Sequence, residues 1–432
     1  MNKQKLNYKI TFFIGFGFLA SSIAWSMYNS FVPLMLENKF VPLLIQRLGL
    51  NTAILTTLTG FIMTIDNIFG VIFQPIFGAL SDKTRTKIGR RMPYITIGLP
   101  VCALLFVLIP LMPSLALFMF VLILFNFIMS IWRAPVVALM PDLTPSALRN
   151  QANGVINLMG GIGSILAFLL GGMLRDIWAP APFFFSSAVM LAALLMLRLK
   201  VKEPAGEAAM QSKVEGEEEK SIGDLPPAEK KARTRSLLLL LFAIFFWFNG
   251  YNAVETLFTL YATNSLGVTE GGAAMMLSFF SVTFVAAAIP AGLLANRIGR
   301  RNAILIGLLG VTILFPALIF VRNAMLVRLM LLIGGMFWAC VNINSLPTVL
   351  QLCTHRDIGK YTGYYYFFSF AAAITAPILA GLLRDLVNDY GSVFIYAGVA
   401  FLIALLCMLF VRHGDLPKEK QTAAEILEQL DS

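Results

Sequence analysis

Three ionisable residues interrupt stretches of this chain that are otherwise apolar. They are Asp66 in Thr64-Ile65-Asp66-Asn67, Arg133 after Ile131-Trp132, and Glu255 in Ala253-Val254-Glu255-Thr256. A charge at the middle of a bilayer costs several kcal/mol unless it is paired or hydrated, so each is a candidate functional group. The chemistry such a set offers is proton exchange. A desolvated carboxylate holds its proton, and an approaching arginine drives it off. If Asp66 met Arg133 in only one conformation, it would load and unload a proton as the chain switched. Asp66 suits a permanent ion pair or an interhelical hydrogen bond equally well. Glu255, in the outer half of its stretch, equally suits solvation near the surface.

A second set could hold a hydroxyl-rich solute. Trp25, Tyr28 and Asn29 fall in the first apolar stretch, and Asn126 and Trp132 in the fourth. Asn249, Tyr251 and Asn252 fall in the seventh, and Trp338, Asn342 and Asn344 in the tenth. Amides bond hydroxyls and aromatic faces stack on sugar rings. Asn249, Asn252 and Glu255 share one helical face. Taken singly, each suits interhelical packing, where Asn also bonds across helices. Taken together on four helices, they point to binding.

The elements that must position these groups follow from composition. The 432 residues are 58% hydrophobic and 13% charged, about half the charge of an average soluble protein. Mean hydropathy is +0.79. The apolar residues form twelve runs long enough to cross a ~30 Å hydrocarbon core as helices. We place them at 10–35, 53–80, 93–112, 115–140, 151–174, 183–198, 237–262, 271–295, 303–321, 325–350, 361–383 and 392–411. The first runs past the length of a secretory signal and lacks a small-residue cleavage site, so it is read as a span. With the N-terminus inside, 26 of the 33 Lys and Arg fall on the inner side. That bias places both termini in the cytoplasm. It also accounts for the net charge of +10 without nucleic acid. The expected fold is an all-α membrane protein of twelve transmembrane helices.

The second six runs repeat the first six. Trp25-x-x-Tyr28-Asn29 answers Phe248-x-x-Tyr251-Asn252, Trp132 and Pro141 answer Trp338 and Pro347, and Gly154, Arg175 and Asp176 answer Gly363, Arg384 and Asp385. A charged loop also recurs. Gly78, Asp82, Gly89, Arg90 and Arg91 follow the second run; Gly292, Asn296, Arg297, Gly299, Arg300 and Arg301 follow the eighth. Gly78 and Gly292 would allow close helix approach, and Gly89 and Gly299 a tight turn. Asp82 would accept from the arginines or cap a helix. Such a cluster can latch the cytoplasmic ends in one state, although topology alone would account for the arginines. The expected organisation is two pseudo-symmetric six-helix bundles, 1–200 and 237–412. A charged, poorly ordered cytoplasmic linker joins them at 201–236, and a cytoplasmic tail follows at 413–432. Parallel six-helix repeats of this kind form transporters that bind solute between the halves and alternate access.

The doubled loop in a twelve-span chain resembles the major facilitator superfamily. Gln74-Pro75-x-x-Gly78, Gly89-Arg90-Arg91-Met92-Pro93 and Pro135-Val136-Val137-Ala138-Leu139-Met140-Pro141-Asp142 resemble a narrower group. That group is the glycoside–pentoside–hexuronide:cation symporters, in their sucrose:proton branch. The resemblance implies that helices one, four, seven and ten line the cavity. Two departures stand out. Sucrose symporters carry arginine where this chain has Val137, and Arg133 lies one turn earlier. Sodium-coupled melibiose-type symporters carry a carboxylate pair where this chain has Gly70 and Gln74.

Enzyme readings lack their residues. The two histidines, His355 and His413, sit at cytoplasmic edges. The sequence has no His-Glu-x-x-His, no Gly-x-Ser-x-Gly and no Walker loop. Cys102, Cys340, Cys353 and Cys407 form no Cys-x-x-Cys pair. No cofactor or metal is expected. The expected function is proton-coupled symport of a sugar or glycoside by a monomer in the lipid bilayer of a bacterial inner membrane. The alternatives are a proton-driven exporter of amphipathic molecules and a transporter-like nutrient sensor.

Overall fold

A computed structural model describes residues 6–49, 51–145, 148–203, 227–352 and 358–411. The helices long and apolar enough to span are α1 (Tyr8–Leu48), α2 (Thr52–Lys83), α3 (Met92–Leu111), α4 (Leu115–Leu143), α5 (Gln151–Ile177), α6 (Ala181–Lys200), α7 (Arg233–Leu266), α8 (Glu270–Ile298), α9 (Arg300–Phe320), α10 (Ala324–Leu350), α11 (Lys360–Val387) and α12 (Ser392–Leu409). Each matches an apolar run of the sequence to within a few residues, except α1. That helix runs on through a π-helical turn at Leu36–Phe40 to Leu48. Residues 204–226 of the expected linker, and the tail beyond 411, lie outside the described residues. The last part of the linker is already helical, from Pro227 onward into α7.

The chain has a basic end, where the two Gly-Arg-Arg loops lie, and a far end opposite. Within each half, glycines let helices approach closely, as expected where lipid supplies no hydrophobic drive. A Cβ on Gly163 of α5 would lie 2.6 Å from the Leu19 carbonyl oxygen of α1. One on Gly98 of α3 would lie 2.8 Å from Trp132 Cβ of α4. Aromatic rings fill the half-cores. Phe106 lies 4.9 Å from both Phe125 and Phe183, and Tyr251 stacks on Trp338 at 4.6 Å and 3°.

The halves meet where α1 packs on α7, α2 on α11 and α5 on α8. Contact is close at the far end. Arg175 of α5 pairs with Glu270 of α8 at 2.6 Å, and Tyr390 donates to Glu37 at 2.6 Å. At the basic end, Gly78, Gly154, Gly292 and Gly363 have no atom within 4 Å of where a Cβ would stand. The close helix approach expected of Gly78 and Gly292 is therefore absent in this state. Among the described residues the halves are closed at the far end, whereas these four glycines at the basic end face open space.

Candidate functional site

Helix α2 is not continuous. It ends a first segment at Met63, turns at Thr64, and restarts at Ile65. Asp66 thus sits in the first turn of a new segment, where a carboxylate suits the positive end of the helix. It is 8% exposed, and one oxygen accepts from the Asn67 backbone at 2.6 Å and from its side-chain amide at 2.7 Å. The sequence carries no proline or glycine at Thr64 to announce the break.

Asp66 opens onto a cavity of about 310 Å³ between the halves. Trp25, Asn29, Asn67, Gln74 and Arg133 line it from the first half; Asn252, Glu255, Thr256 and Phe370 line it from the second. Two carboxylates and one guanidinium therefore face one space from opposite halves. The Arg133 guanidinium lies 5.8 Å from the Trp25 ring centroid, a cation–π distance. It is not in ion-pair contact with Asp66 or Glu255 in this state. Trp25 Nε1 is buried and has no partner among the described residues. The Arg133 guanidinium and one aromatic face thus border the space, whereas the Asn67 amide is held by Asp66 and the Asn252 amide by the Phe248 carbonyl at 2.7 Å.

The other candidate binding residues stand away from this cavity. Tyr28 is fully buried and its hydroxyl accepts from Asn126 at 3.3 Å. Trp132 is fully buried against Gly98. Asn249 donates to Thr375 at 2.8 Å and accepts from Tyr396. Tyr251 and Trp338 are spent on each other. Asn344 donates to the Cys340 carbonyl at 2.9 Å, and Asn342, whose backbone carbonyl accepts from the Ser345 hydroxyl at 2.7 Å, is not among the lining residues. Helix α10, expected in the wall by resemblance, gives it no residue; α2 and α11 do, through Asn67, Gln74 and Phe370. Asn67 and Gln74 were legible as polar residues about one turn before and one turn after Gly70.

The first charged loop is an ion-pair web. Arg91 is 4% exposed and bonds Asp82, Ser81 and, at 3.2 Å, the Gly78 carbonyl. Its Nε meets Asp142 at 2.8 Å, and Arg90 meets the same carboxylate at 2.6 Å. Asp142, at the end of α4, is the partner that loop spacing alone did not reveal. Gly89 and Gly299 adopt φ of 111° and 91°, the turns glycine permits. In the second loop Arg300 donates to the Pro347 carbonyl at 3.4 Å and Arg301 to the Leu409 carbonyl at 2.8 Å, while Asn296 and Arg297 are exposed. Both loops tie helices within their own half. Among the described residues no group of three or more His, Cys, Asp or Glu is placed to hold a metal.

Two six-helix bundles enclosing a polar cavity at mid-depth define a secondary transporter. The chain belongs to the Major Facilitator Superfamily, whose model matches residues 14–349 and again 257–430. It is an integral, multi-pass membrane transport protein rather than an enzyme. It is 27% identical to a class H tetracycline resistance protein of Pasteurella multocida over 59% of this chain and 61% of that one. It is 25% identical to multidrug resistance protein 2 of Bacillus subtilis over 80% and 84%. A cis,cis-muconate transport protein of Acinetobacter baylyi is 25% identical over 64% and 67%. Among solved structures, a D-xylose-proton symporter superposes with a TM-score of 0.71 at 14% identity, covering 96% of this chain and 99% of that one.

Proposed function

We propose that this transporter is a proton-coupled carrier of a small hydroxyl-rich solute, a sugar or glycoside. It works by alternating access as a monomer, with its basic end and both termini in the cytoplasm of a bacterial inner membrane. One observation carries the reading: Asp66, Arg133 and Glu255 face a single polar cavity from opposite halves. A rocking motion of the halves changes the separation of Asp66 and Glu255, and a change in spacing between charges is what alters proton occupancy. Gln74 and Asn29 supply amides for hydroxyls, Asn67 and Asn252 add the capacity left after their bonds to Asp66 and to the Phe248 carbonyl, and Trp25 supplies a ring face and an N–H without a partner among the described residues. The cavity volume lies at the small end of small-molecule sites, which suits a sugar better than a bulky amphiphile. The stretches around Gln74 and Pro135 support the sucrose-branch likeness.

A second reading, a proton-driven exporter of amphipathic molecules, is favoured by the tetracycline and multidrug resistance names of the relatives. Met63, Phe370 and Pro377 give the cavity an apolar side that such a solute would use. The test uses liposomes that contain a pH dye and the protein in known orientation. Sugars are added outside, for wild type and Asp66→Asn. Proton entry triggered by a sugar and abolished in the variant supports the symporter. Silence towards every sugar, with proton-gradient-driven uptake of a tetracycline-class dye into inverted vesicles, replaces it with the exporter.

A further inference from the structure

The duplicated Arg-Asp pair, Arg175-Asp176 and Arg384-Asp385, has no part in the cavity or the charged loops. Each pair ends a helix at the far end, α5 in one half and α11 in the other. Each aspartate reaches across to the start of a helix in the opposite half. Asp385 accepts the backbone N–H of Thr56 at 3.1 Å and of Thr57 at 2.7 Å, and the Thr57 hydroxyl at 2.7 Å. Asp176 accepts the backbone N–H of Gly271 at 3.1 Å and the Thr269 hydroxyl at 2.9 Å.

These are the second and third N–H groups of a helix, the ones a capping side chain ordinarily satisfies. The helical segment of α2 that starts at Leu55 has Ile54 in the cap position and no side-chain cap of its own. Asp385 supplies that cap from the other half. The start of α8 has Thr269, whose hydroxyl oxygen accepts from Gly272 at 2.9 Å and whose hydrogen goes to Asp176. The two sites are one device built twice. In both, a carboxylate meets the positive end of a helix dipole.

We infer that Asp176 and Asp385 are a pair of trans-acting helix caps that latch the transporter closed at its far end. The bonds exist only while the two halves touch there. When that end opens, the N–H groups of Thr56, Thr57 and Gly271 return to water and both aspartates are released. The latch therefore weights the equilibrium between the two access states and makes no contact with the solute. The flanking arginines reinforce it by different routes. Arg175 pairs with Glu270 across the halves, whereas Arg384 lies 4.0 Å over the ring of Tyr390, whose hydroxyl donates to Glu37.

The test measures the full chain in lipid nanodiscs, with its native cysteines replaced. Spin labels are carried by Leu48→Cys and Phe320→Cys, which are exposed at the far end of opposite halves. Wild type is expected to show mainly the short separation. Asp176→Ala and Asp385→Ala should each raise the ratio of long to short separations roughly tenfold, the effect of losing one helix cap, and the double variant about a hundredfold. Asp385→Asn, which keeps an acceptor, should stay nearer wild type. An unchanged distance distribution in the inserted, folded double variant overturns the inference. If the alanine variants fail to insert, Thr57→Val decides. It removes only the hydroxyl bond to Asp385, so a shift of about threefold supports the latch and none overturns it.

Discussion

Glu203, three residues beyond α6, receives the backbone N–H of Arg91 at 2.9 Å and that of Met92 at 3.1 Å. Helix α3 begins at Met92 and has no capping side chain of its own. A residue more than a hundred positions away does that work. The contact also explains the loop: a Cβ on Gly89 would lie 2.6 Å from the Cβ of Glu203. The Gly-Arg-Arg turn is therefore glycine both for its positive φ and for the side chain laid across it.

Removing this cap should weaken the first half. Glu203→Ala is expected to cost about 1 kcal/mol, the usual effect of losing a helix cap, and to lower the thermal midpoint in detergent. The group also titrates. Burial pushes the Glu203 carboxyl above its ordinary value of 4.5, against the opposing pull of the Met92 and Arg91 N–H groups. The folded protein then holds this proton over a range where the unfolded chain has lost it. Its contribution to stability is full below pH 4.5 and is lost as pH rises through the raised value. The stability difference between wild type and Glu203→Gln should shrink across that window; a difference that stays constant with pH would sink the argument.

Arg91 and its two acidic partners should differ sharply in worth. The Arg91 side chain is 5% exposed and Asp142 18%, but Asp82 is 57% exposed. Breaking a buried pair leaves a stranded charge, whereas an exposed pair is worth at most about 1 kcal/mol. Asp142→Asn should therefore destabilise by roughly 3 kcal/mol and Asp82→Asn by under about 1 kcal/mol. Arg91→Lys should resemble Arg91→Ala more than wild type, because an ammonium cannot reach Asp82, Asp142 and the Gly78 carbonyl together. Denaturant unfolding of the four variants checks the order.

Much of this architecture was legible because spans are written in runs of apolar residues, and hydrocarbon thickness fixes their length. The run at 93–112 is the helix Met92–Leu111, and the run at 325–350 is Ala324–Leu350. The three intramembrane charges were equally legible, since isolated charges in such runs need a polar space, and all three share one. The break at Thr64 was not, because neither proline nor glycine marks it. Nor was the wall of the cavity. Tyr28, Asn126, Trp338 and Asn344 have the chemistry of a sugar site, yet they are turned into their own half-cores by a helix rotation that polarity alone does not set. The cross-half caps escaped for another reason: each carboxylate and the N–H groups it satisfies are far apart in sequence, 95 residues for Asp176 and Gly271 and 329 for Asp385 and Thr56, and the trace they left was the doubled Arg-Asp pair.

Trp25 should contribute to solute affinity and not to folding. Its ring borders the cavity under Arg133, and its N–H has no partner. Under the carrier reading, Trp25→Phe keeps the ring and loses the N–H, and should raise KM by about tenfold, the worth of one hydrogen bond to a bound polar group. Arg133 would retain its place, so maximal flux should change by less than about threefold. Initial uptake rates against solute concentration separate the two constants. A fall in maximal flux at unchanged KM would assign Trp25 to the conformational step instead.

Glycines at the two ends should respond in opposite ways to the same substitution. At the far end, a Cβ on Gly271 of α8 would meet the Gly172 carbonyl oxygen of α5, and backbone there has nowhere to go. At the basic end, Gly292, on the same helix, meets nothing within 4 Å. Gly271→Ala should hold the far end apart, exposing cavity residues to a bulky thiol reagent added at that side. Gly292→Ala should leave this closed-far-end state undisturbed. The readout is the alkylation rate of Asn29→Cys, which lines the cavity, by a membrane-impermeant maleimide. An increase of at least tenfold is expected for Gly271→Ala and no increase for Gly292→Ala. Equal rates in both would mean that far-end closure does not depend on backbone contact between α5 and α8.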